Sequence, residues 1–250
     1  MPGNHFLEID VGNSSYKWRL MSEGRILSSG RFTPDELLPG FEAVIRDVSG
    51  SIAARVASVA GVQADGMLIN ALETLNIKPV SFAKVSREQA GVRCGYKDLS
   101  QLGVDRWLAV LAAASEFDGP LAVADFGTAL TLDFVDANRN HIGGYIVPGW
   151  GLMCQALMEG TAIDVSCIPF DYDSDDLQPG VSSSSAIGQG QLLSLSALVS
   201  AGVTSFKTMV GQEVKLVCTG GDAFRILPFL DIKAEIRPDL VLDGLALAVT

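Results

Sequence analysis

Two stretches of the chain repeat one pattern of apolar and polar positions. Phe6-Leu7-Glu8-Ile9-Asp10-Val11-Gly12-Asn13-Ser14 and Leu121-Ala122-Val123-Ala124-Asp125-Phe126-Gly127-Thr128-Ala129 each carry a short apolar strand into Asp-x-Gly-(Asn/Thr)-(Ser/Ala). A β-rich run follows each turn, over residues 16–21 and 130–135. If Gly12 and Asn13 make the first turn, Ser15, Lys17 and Arg19 share one face of the returning strand. Tyr16, Trp18 and Leu20 then share the other.

The same patterning predicts a third strand over 25–32, a strand over 55–60 and another over 79–83. Met67, Leu68, Ala71, Leu72 and Leu75 stand at helical spacing and predict a helix over 65–76. No pattern emerges through Pro34 and Pro39, and 86–101 reads as a polar loop. A helix over 103–115 follows, with Trp107, Leu108, Val110 and Leu111 as its apolar face. In the second half, a strand over 142–147 ends at Pro148-Gly149, and a helix spans 152–158. An acidic surface loop occupies 171–180, a long helix 184–210 and a buried strand 214–218; helices over 222–230 and 240–249 close the chain. Three β-rich runs followed by alternating strands and helices, twice over, predict a pair of α/β domains, 1–115 and 116–250. The doubly wound nucleotide fold fits less well, because its phosphate loop leads into a helix and these turns lead into strands. For the same reason Gly188-Gln189-Gly190, inside a helical pattern with no preceding strand, is given little weight as half a dinucleotide fingerprint.

Composition narrows the classes. Of the 250 residues, 48% are hydrophobic, which is ample for two cores and excludes a disordered chain. The net charge of −11, with no Lys/Arg cluster, argues against nucleic acid as a partner. An anionic ligand would have to be met by backbone N–H groups, a few cations and a metal ion. Residues 1–5 lack the segments of a signal peptide, and no apolar run is expected to reach the ~18 residues of a membrane span. Cys94, Cys154, Cys167 and Cys218 show no paired spacing and read as reduced thiols, so a cytoplasmic protein is expected. His5 and His141 are too few for a histidine-rich zinc site or a Ser-His-Asp triad.

Three constellations carry candidate chemistry. In Asp10 to Lys17, glycine lets backbone approach a ligand and turn N–H groups form an anion-binding concavity, with Lys17 able to fold back toward phosphate. An aspartate cannot itself meet phosphate, so Asp10 and Asp125 each imply a cation or a proton to be moved. The alternative is a surface hairpin whose Asp-x-Gly-Asn is turn chemistry alone. In Gly103-Val104-Asp105-Arg106-Trp107, Asp105 falls in the first helical turn, where the helix dipole favours a carboxylate whatever its role. Beside a close-approach glycine it also suits a base that accepts a hydroxyl proton during phosphoryl transfer. Cys218-Thr219-Gly220-Gly221-Asp222 again turns backbone N–H groups toward a strand end. Gly143-Gly144 and Pro148-Gly149 are either turns or close approaches.

Taken in order, these segments resemble type III pantothenate kinase, within the actin, sugar-kinase and chaperone-ATPase superfamily. The family's D-x-G-N-(S/T)-x-x-K stands at Asp10 to Lys17, and its Y…L-G-x-D-R-W at Tyr96 and Leu102 to Trp107. D-x-G-T-A-x-T-x-D stands at Asp125 to Asp133, G-G-x-I-x-P-G at Gly143 to Gly149, T-G-G-D-A at Thr219 to Ala223, and D-L-V-L-x-G-L at Asp239 to Leu245. The resemblance implies two duplicated actin-like (ribonuclease H-like) domains with a nucleotide cleft between them. It implies ATP-dependent phosphorylation of pantothenate on its primary hydroxyl, the opening step of coenzyme A synthesis. Asp10 would hold magnesium, with Val11, Gly12, Asn13, Ser14, Ser15, Tyr16 and Lys17 around the phosphates and Thr128 also on ATP. Asp105 would be the general base, and Tyr96, Gly103, Val104, Asp105 and Arg106 would line the pantothenate pocket. Asp125 would seat a monovalent cation, potassium or ammonium. A homodimer is implied, in which a threonine of the neighbouring subunit reaches the substrate.

The chain departs from the family at that threonine. Ser183-Ser184-Ser185-Ala186 takes the place of T-x-x-A, so Ser183 or Ser184 would supply the hydroxyl, without the methyl. Hydroxyls in such a run also suit a helix cap, a linker or a contact surface. The proline often found between the family's Tyr and Leu-Gly is missing from 97–101. Two other functions are compatible with the fold: a kinase of another small polar alcohol, and a regulatory relative acting through protein contacts. Asp10, Lys17, Asp105 and Asp125 together favour catalysis, since a binding module needs no such set.

Overall fold

The duplicated pattern folds as a duplicated topology. A computed structural model describes residues 5–12, 15–164, 166 and 171–249. By its internal contacts the chain forms two units, one of Met1–Gly91, Tyr96–Ala112 and Asp239–Thr250, the other of Val92–Gly95 and Ala113–Pro238. Compared with a division at 115/116, residues 92–95 and 113–115 group with the second unit and 239–250 with the first.

In the first unit β1 (His5–Val11), β2 (Tyr16–Ser22) and β3 (Arg25–Phe32) form an antiparallel meander. α1 (Leu37–Ile45), β4 (Ile52–Ser58), α2 (Val62–Thr74) and β5 (Val80–Phe82) follow, giving the sheet order β3-β2-β1-β4-β5 with β4 and β5 parallel to β1. Leu7, Ile9, Val11, Tyr16, Trp18 and Leu20 point to one face and pack on Leu37 and Phe41 of α1 and Leu68 and Leu72 of α2. The alternation expected of the returning strand therefore holds on the apolar side. The prolines of the unpatterned stretch sit where helices accept them: Pro34 in a 3₁₀ turn and Pro39 in the first turn of α1, where no helical N–H is lost. Thr33 opens that turn by donating its N–H and hydroxyl to the Glu36 carboxylate, at 2.9 and 2.8 Å.

The polar loop is more structured than its sequence suggests. It holds the two-residue strands β6 (Glu88–Gln89) and β7 (Val92–Arg93) and a 3₁₀ turn, Leu99–Gln101, capped by Asp98. α3 (Val104–Glu116) follows and is buried on nearly every side, not on one apolar face: Arg106, Ala109, Ala112 and Ala113 are as hidden as Trp107 and Leu111.

In the second unit β8 (Leu121–Phe126), β9 (Ala129–Val135) and β10 (His141–Pro148) repeat the meander, with a bulge between His141 and Gly143. α4 (Trp150–Gly160), α5 (Ser183–Val210), β11 (Lys215–Thr219), α6 (Ala223–Ile226) and β12 (Ala234–Ile236) complete it, in the order β10-β9-β8-β11-β12. The helix expected over 222–230 gives way to a 3₁₀ turn at Leu227–Phe229, because Pro228 lacks the N–H an α-helix needs. β12, three residues long, has too little pattern to be read from sequence. α5 is apolar and long enough to cross a membrane, with an 18-residue window of mean hydropathy 1.3. Here its Leu192, Leu195, Val199, Val203 and Phe206 pack into the core of the second sheet. Gly188, of the fingerprint-like pair, lies inside α5 where a Cβ would strike the Tyr172 ring. Cys94, Cys154 and Cys218 are buried, and burial pushes the Cys218 thiol up to about 12; Cys167 lies outside the described residues.

α7 (Leu240–Ala248) returns to the first unit and packs on β1 and β4.

Candidate active site

Antiparallel pairing of β1 with β2 sets Asp10 directly opposite Lys17, so both side chains stand on the same face of the sheet. Between them the Gly12 N–H donates to the Ser15 carbonyl at 3.1 Å and closes the turn. Val11 and Tyr16 point the other way into the core, so their side chains are not at the turn's ligand face. Burial, and then the charge of Asp65, raises the Tyr16 phenol above its ordinary value. Asn13 and Ser14 lie outside the described residues.

The Asp10/Lys17 face continues inward as a row of charge. Glu8 is opposite Arg19 on β2 and Arg55 on β4. It accepts from both, at 2.6 and 3.2 Å, while almost fully buried. α7 closes over this row: Arg19 also donates to Asp243 at 2.6 Å and to the Leu242 carbonyl at 2.9 Å, and Lys17 Nζ lies 2.8 Å from Asp239. Sequence reading assigned no role to Glu8, Arg55, Asp239 or Asp243. Their charge is visible in the chain, but their convergence depends on strand register.

The α3 group assembles around its glycine. The Asp105 carboxylate accepts from the Arg106 backbone N–H at 2.7 Å. A Cβ on Gly103 would lie 2.5 Å from Asp105 Oδ1, so the carboxylate occupies space that only glycine leaves open. Arg106 is buried and donates to the Tyr96 hydroxyl at 3.1 Å, its guanidinium 5.7 Å from the Tyr96 ring. Arg87 holds the Tyr96 loop by donating to the carbonyls of Tyr96 and Lys97, at 2.6 and 3.0 Å. Tyr96, Gly103, Asp105 and Arg106 are thus brought together, while Val104 is largely buried.

In the second unit the residues opposite the repeated aspartate differ. Asp125 has Thr131 across β9 where Asp10 has Lys17, and Thr219 across β11 where Asp10 has Ala57. Its turn is gripped by two glycines. Gly149 donates to the Thr128 carbonyl at 3.0 Å, and a Cβ there would sit 2.3 Å from the Gly127 oxygen. Gly220, at φ +96°, lies so close to Phe126 that a Cβ would be 2.4 Å from its carbonyl oxygen, and the Asp222 N–H donates to that oxygen at 3.0 Å. Pro148-Gly149 and Thr219-Gly220-Gly221 are therefore close approaches to the second turn. Burial raises the Asp222 carboxyl above its ordinary value, with Arg225 acting in the opposite sense. Thr128 is exposed.

Ser183 is the exposed first residue of α5. Ser182 caps that helix: its Oγ accepts from the Ser185 N–H at 3.2 Å, while its own N–H donates to Ser185 Oγ at 3.0 Å. The serine run thus includes a cap, one of the roles read for it.

Among the described residues no three His, Cys, Asp or Glu side chains gather as a metal cage. A magnesium ion that keeps waters and binds nucleotide phosphates needs only one or two carboxylates, which Asp10 can supply. Asp125, with a threonine opposite it on each neighbouring strand, offers oxygen donors of the kind a hard cation takes.

A profile of the type III pantothenate kinase family matches residues 6–204. The chain is 37% identical to the type III pantothenate kinase of Pseudomonas paraeruginosa (strain DSM 24068 / PA7), over 97% of this chain and 98% of that one. It is 36% identical to that of Hahella chejuensis (strain KCTC 2396), over 96% and 94%. Among solved structures, a Sinorhizobium meliloti protein provisionally assigned as a 2-dehydro-3-deoxygalactonokinase matches with a TM-score of 0.62 at 15% identity, over 97% of this chain and 95% of that one. MreB5 of Spiroplasma citri bound to ADP matches with a TM-score of 0.52 at 11% identity, over 96% and 94%. The structural likenesses establish an actin-like α/β fold, and the sequence matches establish that the chain belongs to the type III pantothenate kinase family.

Proposed function

We propose that the chain transfers the γ-phosphoryl group of ATP to the primary hydroxyl of pantothenate, the first step of coenzyme A synthesis. The carrying observation is the carboxylate of Asp105, fixed over Gly103 and joined through Arg106 to Tyr96, in a chain of this family. In the reaction a bond forms from the pantothenate hydroxyl oxygen to the γ-phosphorus, and the bond from that phosphorus to the β,γ-bridging oxygen breaks. The hydroxyl proton passes to Asp105, a carboxylate at a helix start that can act as the general base. Arg106 and Tyr96 line the pantothenate pocket, with Gly103 and Val104 contributing backbone.

Lys17 and the backbone of Val11 to Tyr16 meet the ATP phosphates, and Thr128 is a further ATP contact. Magnesium held by Asp10 would neutralise phosphate charge, and potassium or ammonium at Asp125 would do the same at the second turn. The working unit is a cytoplasmic homodimer in which Ser183 of one subunit reaches the pocket of the other. The test is ADP release by purified protein with pantothenate and with a panel of small polar alcohols. Pantothenate-dependent release well above every other alcohol is expected. Preference for another alcohol, or no turnover with any, would overturn the substrate assignment.

A further inference from the structure

Asp239 stands at the position that begins α7, where an aspartate ordinarily turns its carboxylate back to cap the helix. It makes no side-chain cap hydrogen bond there. Its Oδ1 lies 2.8 Å from Lys17 Nζ on β2 instead. One helical turn further on, Asp243 holds Arg19, two residues along the same strand. Four residues of helix advance about 6 Å and two residues of strand about 6.6–6.8 Å. The two carboxylates of α7 are therefore in register with the two cations of β2.

The two pairs differ in setting. Arg19 is buried and also bound by Glu8 and the Leu242 carbonyl, so it anchors α7 to the sheet. Lys17 and Asp239 are 21% and 42% exposed, at the turn end of that row and beside Asp10. An ammonium has three donors, so it can keep one carboxylate and still donate to phosphate. A free lysine side chain carries rotamer entropy that it loses when fixed, so a partner that fixes it beforehand lowers that loss on binding.

We infer that Asp239 is a positioning residue for ATP phosphate binding, holding Lys17 aimed at the phosphate turn before nucleotide arrives. This rests on Lys17 meeting phosphate. α7 carries the aim further: Gly244 lies against the Leu108 backbone of α3, and the Ala248 carbonyl accepts from Gln89, which accepts from Trp107. One helix thus sets both the lysine strand and the helix bearing Asp105.

The test is ATP kinetics of Asp239→Asn, Lys17→Ala and the double variant, with pantothenate saturating and melting temperatures recorded. Asparagine caps helices as well as aspartate, so Asp239→Asn removes the charge and leaves the helix start. The expected result is a rise of about two- to fivefold in KM for ATP, the scale of one half-exposed charged contact. KM for pantothenate should be unchanged, and in the Lys17→Ala background the effect should vanish. An Asp239→Asn enzyme with unchanged or tighter ATP binding would overturn the inference while leaving Lys17 on phosphate. So would an equal penalty in the Lys17→Ala background, which marks a merely structural role. Normal ATP kinetics in Lys17→Ala would instead remove the phosphate reading, and this inference with it.

Discussion

At the scale of single residues, Gly103 decides where the Asp105 carboxylate can be. The atom that a Cβ would strike is the free end of the aspartate side chain and not backbone. Gly103→Ala should therefore displace the carboxylate and leave the fold standing. The expected outcome is a loss of kcat of at least tenfold, with a melting temperature within a few degrees of wild type, since one off-rotamer side chain costs about 0.5–1.5 kcal/mol. Normal turnover would show that the position of Asp105 is not critical. This contact was half legible in the chain. Glycine two residues before aspartate signals close approach, but that the approaching atom is the carboxylate itself appears only once α3 is folded.

Among the elements, the helices and strands that bury an apolar stripe were legible, and those defined by pairing alone were not. α2, α5 and α7 lie within a few residues of their expected bounds, and β3 falls on its expected bounds although none of its residues is fully buried. α1 was missed because Pro34 and Pro39 mask a helix start that tolerates them, and β6, β7 and β12 because two or three residues carry no period. α7 was foreseen as a helix, yet nothing local to it announces that it packs on β1 and β4. Gly244 tests that packing. A Cβ there would sit 2.2 Å from the Leu108 carbonyl oxygen and 2.8 Å from its Cα, and backbone in a buried helix cannot move aside cheaply. Gly244→Ala should cost about 1–3 kcal/mol of stability and raise KM for ATP together, read by denaturant melts and steady-state kinetics. A stable variant with wild-type kinetics would contradict the role given to α7.

The end of α3 offers a second test at this scale. Arg237 donates through Nε to both Glu116 oxygens, at 2.9 and 2.8 Å, and these bonds hold the carboxyl below its ordinary range. A carboxylate depressed on folding contributes stability above its unfolded pKa and loses it as pH falls through the folded one. Glu116→Gln should lower the melting temperature at pH 7, by a modest amount because the pair is partly exposed. The gap should close as pH falls through the carboxylate range. A gap independent of pH would mean that packing, and not charge, carries the difference.

At the scale of the whole molecule, the two sheets share one strand order while their aspartates keep different company. Asp10 faces a lysine and Asp125 faces threonines. Duplication was legible from two Asp-x-Gly turns; the asymmetry followed from register. The molecule as a whole is proposed to carry out phosphoryl transfer to pantothenate with Asp105 as base. The most direct measurement is transfer of label from γ-labelled ATP to pantothenate by wild type and by Asp105→Asn, with binding of both substrates measured on the same preparations. A general base contributes about 10²–10⁴-fold in rate, and the amide keeps the carboxylate's shape. Labelled phosphopantothenate is expected from wild type, and a loss of that size in the variant with both substrates still bound. Transfer by Asp105→Asn within a few-fold of wild type, or no labelled product from the wild-type enzyme, would contradict that assignment.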